Sequence, residues 1–120
     1  MYVGIGHDMQ ATVVRAYAAF GSIRNGGFQD FYESPTWDAA QIAEDFRTAG
    51  LKDLAAALRG SLGIFPGGRQ LRGRERDAHL ARVGQASWRG GEELFYRTKE
   101  ADFWRAAMVF MRLHRDDFPT

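Results

Sequence analysis

Apolar side chains recur every three or four positions through most of the chain, a spacing typical of amphipathic helices. Three helices are predicted at residues 10–24, 37–49 and 51–62. A further helical stretch opens near Glu92, bends around residues 97–99 and continues towards the C-terminus. No segment alternates apolar and polar residues as a half-buried strand does. The pattern predicts an all-α protein with a single domain of about five to six helices packed in antiparallel corners.

The stripes also predict the core. Phe46, Leu58, Phe103 and Phe110 lie on the apolar faces of their helices and are expected to be buried. Phe65, which stands before a proline, is expected to anchor its loop to the core.

Residues 1–9 are predicted to form an N-terminal arm and residues 10–120 the helical domain. Gly4 and Gly6 disfavour a helix in the arm, and Asp8 is a candidate N-cap. Within the domain, residues 69–90 are polar and rich in arginine. Two interpretations stay open for them: a mostly polar helix, or a mobile loop that leads into a linker.

A turn at Asn25-Gly26-Gly27-Phe28 separates the first helix from a short aromatic stretch. At least one of the two glycines is expected to have a positive φ, which would end the helix and reverse the chain. After the aromatic stretch, Thr36 follows a proline and is the predicted N-cap of the second helix.

Composition limits the classes of protein to consider. The chain has 120 residues and no cysteine, so disulfides and thiolate metal sites are excluded. No apolar run is long enough to span a membrane, and the N-terminus lacks the features of a secretory signal. We therefore expect a cytoplasmic protein that does not bind membranes.

Charge is nearly balanced overall but unevenly distributed. The formal net charge is +1, yet residues 28–53 hold six acids against two bases and residues 69–89 hold six arginines against two acids. Most such charges are solvated helix faces that contribute little energy. The arginine segment lacks a recognition helix and interleaved aromatic residues, so nucleic acid is not the expected partner.

No set of residues commits the chain to a reaction. The three histidines are far apart and lack the spacing of metal ligands, and the serines lack a nucleophile context, so no catalytic residue, metal or cofactor is predicted. An alternative is an enzyme or small-ligand pocket near Tyr32, Trp37, Trp104 and His114.

The order of several motifs resembles a bacterial all-helical domain-of-unknown-function family that contains a DNA-mimic protein, the DMP type. The motifs are Ile23-Arg24-Asn25-Gly26-Gly27-Phe28-Gln29-Asp30-Phe31-Tyr32, Ala49-Gly50 before the helix from Leu51 to Leu62, Phe65-Pro66, Phe95-Tyr96, Asp102-Phe103, and Arg112-Leu113-His114-Arg115-Asp116-Asp117-Phe118. The resemblance implies a helical, often homodimeric domain without known catalysis. Its DNA-mimic member is implied to present carboxylates in place of phosphates to a transcription regulator.

These observations favour a non-enzymatic module that binds an unidentified protein, with a homodimer as a further expectation. The corner at residues 25–32 and the neighbouring acids are the predicted contact surface. The candidate partner-binding residues are Asp30, Glu33, Asp38, Glu44 and Asp45. The alternative is a DNA mimic acting through the same acidic stretch, but 15 acids against 16 bases do not make a globally DNA-like surface.

Overall fold

The computed structural model describes residues 9–83 and 88–117, which contain six α-helices and no strand. The helices are α1 (Met9–Glu33), α2 (Ala39–Thr48), α3 (Lys52–Ser61), α4 (Gly73–Arg82), α5 (Arg89–Arg97) and α6 (Glu100–Leu113). Short 3₁₀ turns occupy Leu62–Ile64, Pro66–Gly68 and Arg115–Asp117. The prediction of an all-α fold is confirmed. Asp8 and most of the predicted N-terminal arm lie outside the described residues.

The core is rich in aromatic side chains. Phe46, Leu58, Phe103 and Phe110 are all buried, as their positions on the helical stripes predict. The rings of α1 contact those of α5 and α6, with Phe20 stacked on Phe103 at 5.1 Å between centroids. Helix α1 also packs against α2, and α3 packs against both α2 and α5.

The Asn25–Phe28 turn is a kink inside α1, so the prediction that it ends the helix is wrong. Gly27 alone leaves helical geometry, with φ 72° and ψ −173°, and helical structure resumes at once and continues to Glu33. The predicted positive φ is therefore confirmed at Gly27, while Asn25 and Gly26 stay helical. One residue in a conformation open mainly to glycine redirects the helix without ending it.

Helix α2 begins two residues later than predicted, and its N-cap is Asp38 rather than Thr36. The Asp38 carboxylate accepts a hydrogen bond from the Gln41 N–H at 3.2 Å, the usual role of an N-cap side chain. Gln70 fixes the same end from outside, because its side chain accepts from the Ala39 N–H at 2.7 Å and donates to the Trp37 carbonyl at 2.9 Å.

The arginine-rich segment contains a helix, α4, and not a continuous loop. Leu80 is buried and packs this helix against the core. Nε2 of His79 is hydrogen-bonded to the Ile64 carbonyl oxygen at 2.6 Å. Phe65 anchors the preceding loop as predicted, since it is buried and contacts Tyr32 edge-on at 4.9 Å. The linker that follows this segment was expected at residues 85–91. Residues 85–87 lie outside the described residues, and the rest of the expectation is wrong because α5 already begins at Arg89.

Candidate functional site

The five predicted partner-binding acids do not form one free surface. Asp45 is only 2% exposed, and its two carboxylate oxygens accept hydrogen bonds from the Arg15 guanidinium at 2.8 and 3.0 Å. The Gln41 side chain donates a third bond at 3.0 Å. This carboxylate therefore joins α1 to α2 inside the protein.

Glu44 and Asp38 are engaged at the surface. Glu44 accepts from the Arg47 side chain at 2.6 Å and lies 3.8 Å from the guanidinium of Arg59. The hydrogen bond from Arg47 holds the pKa of Glu44 below its usual value. Asp38 caps α2 and lines a depression of about 430 Å³ together with Arg69 and Arg72. Arginines thus lie beside both acids.

Asp30 and Glu33 are exposed, as Asp38 is, and both lie beyond the kink of α1. Glu33 accepts a hydrogen bond from the Gln29 side chain at 2.9 Å. Three of the five acids are thus exposed: Asp30 and Glu33 on one turn of α1, and Asp38 at the start of α2 in the depression that Arg69 and Arg72 also line.

The basic segment meets the acidic one at the start of α2. Arg72 donates to the Trp37 carbonyl at 3.0 Å, beside the Asp38 cap. The two segments are joined by hydrogen bonds from Arg72 and Gln70 to the Trp37 carbonyl, and these bonds fix the start of α2. The Arg72 guanidinium also adds positive charge next to Asp38.

Glu92, near which the sequence predicted only the opening of a helical stretch, supports the kink of α1. Its carboxylate accepts a hydrogen bond of 2.7 Å from the Phe28 N–H, the first amide after the kink. A carboxylate suits this position because amides at a helix start lack partners within the helix. Tyr96 stands next to it, and its pKa is raised by burial and by the charges of Glu92 and Asp30. The aromatic corner is therefore supported by α5.

The four residues of the alternative pocket occupy different surroundings. Tyr32 is fully buried and bonds Ser61. Trp37 stacks on Phe31 with centroids 5.8 Å apart, Trp104 contacts Tyr17 and Phe103, and His114 contacts Phe110. Tyr32 and Trp37 both contact Phe31, whereas Trp104 and His114 pack against other rings.

An exposed apolar strip on α1 and α6 was not anticipated from the sequence. We define it as Val14, Tyr17, Trp104 and Met108. Val14, Tyr17 and Met108 are 66%, 36% and 48% exposed, and the rings of Tyr17 and Trp104 meet at 4.9 Å. Val14 lies three residues before Tyr17, and Met108 four residues after Trp104, so the strip is continuous across both helices. Trp104 is partly buried and packs against the core. Tyr17 falls within a core-like stripe, which hid its exposure.

Polar groups and an open groove border this strip. The Tyr17 hydroxyl donates to the Glu100 carboxylate at 2.9 Å, and this bond raises the pKa of Tyr17. A groove of about 560 Å³ continues from Tyr17 along α1 past Gly21 and Arg24 to Asn25. The groove thus extends from the strip to Asn25, the first residue of the predicted contact corner at residues 25–32.

Within residues 9–83 and 88–117, no group of three histidine or acidic side chains is placed to hold a metal ion. The helices in the same ranges are too short or too polar to cross a bilayer.

Six helices around an aromatic core in the described part of the chain, with the first helix kinked at a glycine, define a small all-helical domain. The family model described as DMP19-like protein matches residues 7–114, and the chain belongs to that family. The resemblance drawn from the motifs between Ile23 and Phe118 is confirmed. No match was found among curated proteins or among solved structures.

Proposed function

We propose that this protein is a non-enzymatic interaction module that binds a protein partner through the strip on α1 and α6. The observation that carries the proposal is the continuity of four apolar side chains across two helices. Contiguous exposed apolar surface is uncommon on monomers and marks interaction sites. Tyrosine, tryptophan and methionine are also enriched at protein interfaces.

The surroundings of the strip support a partner of mixed character. Arg105 and Arg112 are exposed on α6, with Asp102 bonded to Arg105 at 3.0 Å. Glu100 and Arg24 border the groove. Such a polar rim around an apolar centre resembles the usual anatomy of an interface. The partner we propose presents an apolar centre edged by charges of both signs.

DNA mimicry is the less favoured function for this chain. Asp45 is bound by Arg15, Glu44 by Arg47, and Asp38 lies near two arginines, so few carboxylates are free to stand for phosphates. A mimic depends on a dense array of negative charge that steers it to a basic groove.

The test uses adjacent residues of α6 that are about equally exposed. Met108 belongs to the strip and is 48% exposed, whereas Val109 is 51% exposed and lines a different depression beside Ala49 and Leu113. Partners are captured from native lysate with the parent, Met108→Glu and Val109→Glu. Each captured protein is then purified and its affinity for all three is measured by calorimetry.

We expect Met108→Glu to weaken binding at least tenfold and Val109→Glu to leave it nearly unchanged, with both variants melting near the parent. Equal binding by the parent and Met108→Glu would overturn the proposed surface. A captured partner that proves to be a second copy of this chain would identify the strip as a homodimer interface. Turnover of a small molecule by the purified protein would overturn the non-enzymatic assignment.

A further inference from the structure

The depression of about 430 Å³ at the start of α2 shares no residue with the strip. Arg69 and Arg72, from the segment before α4, line it together with Ala40 and Leu62. Both arginines are exposed. The depression therefore combines two exposed cationic side chains with apolar surface.

Arg72 is held in place by the backbone of another segment. Its Nη1 donates to the Trp37 carbonyl at 3.0 Å, which uses one of the five N–H donors of the guanidinium. The other donors have no partner among the described residues. A side chain that is already held loses less conformational freedom on binding, and a planar guanidinium matches the two oxygens of a carboxylate. Arg72 is thus prepared to bind a carboxylate.

The positive charge around Arg72 is not balanced by nearby acids. Residues 69–74 contain three arginines and no acid. Arg69 and Arg74 are exposed, and neither forms an ion pair within the described part of the chain. Asp38 is the one acid among the residues that line the depression. The three arginines therefore keep a local surplus of positive charge, which attracts an acidic partner.

From the fixed guanidinium of Arg72 and the unbalanced charge beside it, we infer a docking site for an acidic, glutamate-rich segment of a protein partner. A glutamate carboxylate accepts from the free donors of Arg72, while its methylene groups pack on Ala40 and Leu62. Nucleic acid fits less well, because Asp38 and the exposed Glu75 repel a continuous phosphate backbone. A protein segment avoids this repulsion by placing neutral residues at those points.

Short synthetic probes test the site directly. An acetylated hexaglutamate amide, a hexaglutamine amide of the same length and a short duplex DNA are each labelled with fluorescein. The protein is titrated into each probe at about 50 mM salt, and fluorescence anisotropy measures binding. We expect saturable binding of hexaglutamate and about tenfold weaker binding of hexaglutamine and of DNA, equivalent to about 1.4 kcal/mol.

Three arginine variants separate a built site from general attraction between charges. Arg72→Lys keeps the positive charge but loses the planar fork, and we expect it to bind hexaglutamate about fivefold more weakly. Arg69→Gln removes a charge that makes no structural bond, so it should melt like the parent and bind about threefold more weakly. Arg112→Gln removes the same charge from an exposed position on α6 and should leave the affinity within about 1.5-fold.

No saturable binding of hexaglutamate, full affinity in Arg72→Lys or in Arg69→Gln, or an equal loss in Arg112→Gln and Arg69→Gln would each overturn the site. DNA that binds more tightly than hexaglutamate, and does so less well in Arg72→Lys, would assign these arginines to nucleic acid and also overturn the proposal. None of these outcomes depends on the strip of α1 and α6.

Discussion

Among single residues, Gly27 has the largest influence on the course of the chain. Its φ of 72° belongs to a region that side chains disfavour, and the Glu92 carboxylate and the Tyr96 hydroxyl occupy the space that a Cβ would take. The kink turns Phe28, Phe31 and Tyr32 into the core, where all three are buried. Backbone conformation and side-chain packing therefore require glycine at the same position.

Gly27→Ala should lower the free energy of unfolding by about 2 kcal/mol, because alanine is strained at this φ and its methyl group meets Glu92. Gly21→Ala is the control on the same helix, since a Cβ there would meet nothing within 4 Å. We expect this control to be neutral or stabilising by up to about 1 kcal/mol, because alanine favours a helix. Urea denaturation measures both, and equal stabilities would contradict the role given to Gly27.

Glu92 is the second residue on which the corner depends, since it caps the helical turn that starts at Phe28. Glu92→Ala should destabilise the protein by about 1–3 kcal/mol, because a hydrogen bond to a charged acceptor is lost. Glu93→Ala, at the exposed neighbour, should change stability little. Thermal melts of the two variants give the comparison, and a stable Glu92→Ala would show that solvent replaces the cap.

Whole elements were predictable where hydrophobic spacing was regular, and their boundaries were not. The stripe of Phe46 and the stripe of Phe103 and Phe110 placed α2 and α6 correctly. The start of α2 was misplaced because Thr36 and Asp38 are both good N-caps locally, and Gln70, 31 positions beyond Ala39, favours the later start. The beginning of α5 was missed because Gly90-Gly91 is typical of a loop, yet Gly91 is needed against Phe28.

The same limits apply to the candidate surface. Asp45 follows Glu44 in sequence, and nothing local distinguishes a buried carboxylate from an exposed one. The guanidinium of Arg15 on α1, 30 residues earlier, supplies the opposite charge that allows Asp45 to be buried. Long-range pairs of this kind decide which predicted site residues reach the surface.

The Arg15–Asp45 pair should affect stability asymmetrically. Arg15 is 42% exposed and Asp45 is 2% exposed, so removing the arginine leaves a buried carboxylate whereas removing the carboxylate leaves a hydrated cation. We expect Arg15→Met to cost about 3 kcal/mol and Asp45→Asn about 1.5 kcal/mol. Urea denaturation measures both changes.

Glu44→Gln is the control for this pair, because it breaks an exposed ion pair on the same helix and should have little effect. Equal losses for Arg15→Met and Asp45→Asn would mean that the carboxylate is not buried in solution.

The free energy of unfolding of the whole molecule should fall at alkaline pH, partly because of Tyr32. Its folded pKa is raised, so the native state keeps the phenolic proton after the unfolded state has released it above pH 10.0. The stabilisation is complete below that pH and is lost as pH rises through the folded pKa. Tyr32 should add about 1.4 kcal/mol per pH unit to the decline in this range.

Urea denaturation of the parent and of Tyr32→Phe from pH 9 to about pH 11.5 tests this contribution, because the phenylalanine variant should decline less steeply. Tyr96→Phe, at an exposed tyrosine, should alter the slope less. Parallel declines for the parent and Tyr32→Phe would show that the Tyr32 phenol ionises alike in both states.

The near balance of charge also sets what the whole surface can bind. With 16 basic and 15 acidic residues, the protein has little long-range attraction for a basic groove. The exposed acids Asp30 and Glu33 remain the best test of mimicry, because arginines already pair with Glu44 and Asp45. We predict that duplex DNA does not compete for the captured partner and that Asp30→Lys combined with Glu33→Lys leaves its affinity within about threefold, less than 1.4 kcal/mol.

The affinity for the partner should also depend weakly on salt, since an apolar contact is not screened. Glu75→Lys, at an exposed acid on α4, serves as the control for added positive charge. Competition by DNA that is lost in the double variant and kept in Glu75→Lys would establish a local DNA mimic at the end of α1. In that event the apolar strip would be an accessory surface, and Met108→Glu would leave the competition unchanged.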